Sequence, residues 1–113
     1  MMDVLHAPAT GICPECQRPF VLMQETQLFC CPSHRIAWNN RMTVRGRVAT
    51  PLMIAARLTR NGTRGGSASG FRASSDLDTL IRRWRREDAE AKPPRMSTVE
   101  YVDRRYALGF DPI

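Results

Sequence analysis

All four cysteines of this 113-residue chain fall between positions 13 and 31, and one of its two histidines follows at 34. The order is Cys13-Pro14-Glu15-Cys16, thirteen intervening residues, then Cys30-Cys31-Pro32-Ser33-His34. A two-residue gap between sulfurs is knuckle spacing. A tight turn lets both face one ion while backbone N–H groups temper the thiolate charge. Cys13 and Cys16 therefore supply two ligands of one structural Zn(2+), and a Cys–His pair closes the tetrahedron. In that second pair the spacing permits either Cys30 or Cys31, since both reach His34 at the start of a helix. A segment this short cannot bury a self-sufficient core, so a metal is also expected on stability grounds.

Other uses of the cysteines fit less well. A redox dithiol belongs after a strand in a βαβ setting, and only a dozen residues, none strand-like, precede Cys13. Adjacent Cys30 and Cys31 would have difficulty both reaching one iron–sulfur cluster. No apolar run approaches a membrane span and no signal peptide is visible, so reduced thiols in the cytoplasm are expected.

Taken in order, residues 1–12 read as a loose lead-in, with His6 solvated and Thr10-Gly11 as a turn. Phe20–Met23 and Leu28–Cys30 read as two strands of a hairpin around a polar tetrad, with Phe20 and Phe29 walling the metal. A helix begins at Pro32 or Ser33 and stops at Gly46 as a C-terminal cap. Within it Trp38 and Met42 share an inner face. Thr50-Pro51 opens a second helix that runs to Arg60. Residues 61–70 hold four glycines and two serines, the composition of a linker. Ser75 caps a third helix with Leu77, Leu80, Ile81 and Trp84 as its apolar stripe. Ser97-Thr98-Val99-Glu100 is a capping box for a fourth, with Val99, Val102 and Tyr106 on one side. Phe110 to Ile113 forms an apolar tail that packs back or docks elsewhere. The expected organisation is a zinc-finger domain with basic helices over 1–60, a linker over 61–74 and a helical C-terminal region over 75–113.

The net charge of +6 is concentrated. Residues 26–75 contain eight arginines and no Asp or Glu, whereas both flanks are close to neutral. Arg in place of Lys can reflect genome composition. Fifty residues without an acid point to a polyanion or an acidic protein surface as partner.

Over residues 13–45 the chain resembles the FCS-like group of small treble-clef zinc domains of bacterial and phage proteins. That group combines a Cys-Pro-x-Cys knuckle, a hairpin, and Phe-Cys-Ser-x-x-Cys leading into an Arg- and Asn-rich helix. Here the matching residues are Cys13-Pro14-Glu15-Cys16, Phe29-Cys30 and Arg35 through Asn40-Arg41. The resemblance implies a small α+β treble clef of knuckle, hairpin and helix, followed by two to three further helices. It implies Cys30 as third ligand and His34 in the place of the last family cysteine. Cys31 stands where the family has serine.

Two functions follow as expectations. The first is nucleic-acid binding, with Arg35, Arg41, Arg45, Arg47, Arg57, Arg60 and Arg64 on phosphates and Asn39 as a polar reader. The second is a phage-type adaptor that docks on an acidic surface of a bacterial nucleic-acid enzyme, such as RNA polymerase or a nuclease complex. No acid–base pair or nucleotide-binding motif suggests an enzyme or a small-molecule substrate, and no membrane association is expected.

Overall fold

The computed structural model describes residues 9–59 and 68–109. It is a small α+β protein: strands β1 (Thr10–Ile12) and β2 (Pro19–Val21), then helices α1 (Pro32–Leu58), α2 (Ala68–Glu90) and α3 (Thr98–Ala107). No helix among the described residues is long and apolar enough to cross a membrane.

The hairpin differs from the one expected. β1 pairs with β2 in antiparallel register, Gly11 opposite Phe20, so the hairpin encloses the knuckle instead of following it. Cys13 N–H donates to the Arg18 carbonyl at 3.0 Å and Gln17 N–H to the Cys13 carbonyl at 2.7 Å, which closes the turn. Residues 28–30 form no strand. The Gln27 side chain takes over the local backbone partners instead, accepting from Met23 N–H at 2.7 Å and donating to the Phe29 carbonyl at 2.8 Å. A side-chain amide that satisfies both groups removes the need for a ladder there.

α1 also runs on where two helices were expected. It passes through Gly46 and Pro51 without a break in the helix. Glycine lowers helix stability by about 1 kcal/mol and proline removes one bond. Here good helix formers (Ala49, Leu52, Ala55 and Ala56) lie on both sides of Pro51 and are half-buried. α2 starts at Ala68, well before the expected Ser75 cap. Gly70 is buried, and a Cβ there would collide with the Thr59 side chain. That glycine marks a close approach between helices, so residues 68–74 are not linker. Residues 60–67, His6 and the tail at 110–113 lie outside the described residues.

Contacts divide the described residues between two compact units, one within Met1–Trp38 and Asp88–Ile113 and the other within Asn39–Glu87. This differs from the sequence boundaries, because the C-terminal segment belongs with the knuckle.

In the first unit Trp38 and Met96 are fully buried beside Cys13, Cys16 and Phe29. Tyr101 of α3 brings its ring to 4.8 Å from Trp38 and 6.4 Å from Phe29, distances typical of aromatic pairing. The expected α3 stripe is corrected in part: Val102 is half-buried, Val99 and Tyr106 are exposed, and half-buried Tyr101 is the residue that meets Trp38 and Phe29. Ser97 caps α3 as expected, accepting from Glu100 N–H at 3.2 Å.

The segment before α3 clasps the knuckle. Met96 N–H donates to the Pro14 carbonyl at 2.9 Å, and Gln17 Nε2 to the Pro94 carbonyl at 3.1 Å. Arg104 donates to the Ile12 carbonyl at 3.2 Å. Arg95 pairs with buried Asp88 at 3.0 Å.

The second unit has a thinner interior. Ala73, Gly70 and Arg45 are buried, while Met42, Leu52, Leu77, Leu80 and Trp84 are half-buried.

Candidate metal centre

The knuckle turn holds Cys13 and Cys16 with both side chains inward and buried. Cys30 and His34 arrive from the start of α1. Arg35 N–H donates to the Cys31 carbonyl at 3.2 Å, so Cys31 sits at the cap and His34 in the first turn. Helical side chains tilt toward the N-terminus, which directs His34 back at the knuckle.

The geometry is that of a closed four-ligand shell. His34 Nδ1 lies 3.2 Å from Cys30 Sγ and 3.7 Å from Cys13 Sγ, and Cys16 Sγ lies 3.9 Å from Cys30 Sγ. All four ligand atoms lie within 4.8 Å of one another. In a tetrahedron with metal–sulfur bonds of about 2.3 Å and a metal–nitrogen bond of about 2.0 Å, neighbouring ligand atoms sit about 3.5–3.8 Å apart. Cys13, Cys16, Cys30 and His34 could therefore hold one metal ion among them. Cys31 is outside the set. Its sulfur lies 3.3 Å from Ser33 Oγ and 3.7 Å from Cys30 Sγ.

The close packing of these groups shifts their titration. Burial pushes the Cys13 thiol up, but backbone groups at Cys30, Cys16 and Glu15 and the His34 side chain outweigh it and bring it down to about 7. Burial and the neighbouring thiols push Cys30 up to about 12. His34 is raised chiefly by its contact with Cys13. Thiols this close cannot all ionise unless a positive ion stands among them. Cys31 is lowered by its contact with Ser33 and by the backbone at His34. A cleft of about 540 Å³ borders the cluster, with Cys16, Cys30 and His34 on one wall and Arg18, Lys92 and Pro93 among its other residues.

The candidate partner-binding residues separate into groups. Arg35, Asn39, Arg47 and Arg57 are exposed on α1. Arg41 is half-buried. Arg45, expected at the surface, is inside the second unit and only 8% exposed. Its guanidinium lies 5.5 Å over the Trp84 ring and 3.3 Å from the Glu87 carboxylate. Weakly hydrated and planar, a guanidinium can be enclosed where an ammonium would resist. Arg60 and Arg64 lie outside the described residues. Sequence reasoning missed Tyr101, Met96 and Gln17. An aromatic in the first turns of a capped helix was the available signal for Tyr101, while the other two carry none.

Compared with protein-family models, with curated proteins and with solved structures, the chain matches none.

Proposed function

We propose that Cys13, Cys16, Cys30 and His34 hold a structural zinc ion, and that the protein binds nucleic acid through the exposed basic face of α1. Three thiolates and one imidazole suit zinc and fill its tetrahedron. No position remains for a reacting water, and the site holds structure without performing chemistry. The bond to zinc would fix the first turn of α1 against the knuckle.

The observation that carries the nucleic-acid reading is the exposed polar side of an acid-free helix. Asn39, Thr43, Arg47, Thr50 and Arg57 are all exposed and recur at helical spacing, with Arg35 exposed one turn before Asn39. Not one acidic residue occurs in α1 to repel a phosphate. Arginine there would contact phosphates, and Asn39 is placed for polar contact with a base or sugar.

Three phosphate contacts from Arg35, Arg47 and Arg57 would weaken binding to duplex DNA about 40-fold between 50 and 200 mM salt. Fluorescence anisotropy with a labelled oligonucleotide reads this directly. Arg57→Ala would flatten the logarithmic salt slope by about one. An affinity indifferent to salt would remove nucleic acid as the partner.

A further inference from the structure

α1 carries a second face that neither the metal nor a phosphate chain uses. Val44, Val48, Pro51, Ala55 and Leu58 are spaced by four, three, four and three residues. That is the alternation of a and d positions in a helix–helix seam. Ala55 is half-buried, but Val44 is 60% exposed, Val48 48% and Leu58 72%. Ile54 borders the same strip and is half exposed. The inner face of α1 in this unit, with Met42, Arg45, Ala49, Leu52 and Ala56, lies on another side of the helix. The exposed seam is therefore in addition to the core contact.

Its charge setting selects the occupant. Arg47 flanks the seam, and α1 contains no Asp or Glu. A second copy of the same helix would bring arginine toward arginine. A phosphate backbone offers nothing apolar to cover valine and leucine. An acidic amphipathic helix meets both requirements: its apolar stripe removes the seam from water, and its carboxylates meet the arginines.

We propose that the Val44–Leu58 face of α1 docks an amphipathic helix of another protein whose apolar stripe is flanked by Asp and Glu. Arg47 borders both this seam and the polar face of α1, so an acidic helix on the seam would compete with nucleic acid for it.

The test uses the full zinc-loaded chain and two labelled synthetic helices of about three heptads, with Leu at a and d and either Glu or Lys at e and g. Anisotropy is expected to show the Glu peptide binding at least about tenfold more tightly than the Lys peptide. Val48→Asn and, separately, Val44→Asn should each weaken the Glu peptide about tenfold while leaving oligonucleotide binding and the thermal melt unchanged. Arg47→Glu should reverse the preference between the peptides. No binding of the Glu peptide up to about 100 μM overturns the proposal, as does equal binding of both peptides. So does a dimer in sedimentation equilibrium that Val48→Asn dissociates, because the seam would then belong to a second copy.

Discussion

The two units are held together by different means. The knuckle unit gathers Cys13, Cys16, Phe29, Trp38 and Met96 from segments far apart in sequence and buries them almost completely. The helical unit buries a small alanine, a glycine and an arginine, and leaves Val44, Val48, Met53, Ile54, Leu58 and Phe71 exposed. One has a core built around a Cys/His cluster that could hold a metal ion, with Val21, Met23, Ile36, Val99 and Tyr106 left outside it. The other uses a charged residue as part of its interior and keeps most of its apolar side chains outside. The first therefore has the fuller interior and the second the thinner one.

The comparison breaks most decisively at the ligands. Cys16→Ala should abolish zinc binding and unfold the knuckle unit, with a loss on the order of 10 kcal/mol of metal-linked folding energy at neutral pH. Hydrogen exchange should show Trp38 and Met96 losing protection while the amides of 42–56 and 73–84 keep theirs. Simultaneous loss in both units would erase the distinction. Within the knuckle unit, Trp38→Ala should cost about 3–5 kcal/mol in chemical denaturation, because a fully buried indole leaves a cavity between Phe29 and Tyr101.

The helical unit should respond to polar changes. Arg45→Ala is expected to cost about 2 kcal/mol, since it removes the contacts to Trp84 and Glu87 and the packing of the long stem. Arg45→Lys should recover only part of this, which a parallel urea melt would show. The smallest effect has the opposite sign. Nothing lies within 4 Å of a Cβ placed at Gly46, so Gly46→Ala should stabilise α1 by about 1 kcal/mol. A loss at Gly46 would mean that this helix needs the bend its sequence first suggested.

The metal-ligating cluster was legible because ligation depends on residue type and short spacing, and Cys13, Cys16 and His34 carry both. The choice of Cys30 over Cys31 was not legible from spacing, since both reach a helix start. Geometry decides it, by turning Cys31 toward Ser33. Helix punctuation misled at three places. Gly46, Pro51 and Gly70 are local stop signals; the helix formers around Pro51 carry α1 through, and the glycine at 70 serves a close approach to Thr59 instead of a linker. The role of Arg45 was hidden too. A run of arginines reads as a uniform surface, and only the position of Trp84 shows which one turns inward. That 94–96 clasps the knuckle was beyond any pattern, because on the 94–96 side both bonds use backbone groups that every sequence possesses.

The central claim is that Cys13, Cys16, Cys30 and His34 form one closed zinc shell that organises the knuckle unit. X-ray absorption at the zinc edge of the purified full-length protein tests it most directly. The expected result is one zinc per chain with three sulfurs at about 2.3 Å and one nitrogen at about 2.0 Å, unchanged in Cys31→Ser. Four sulfurs, an oxygen in the shell, or a folded protein without zinc would contradict it.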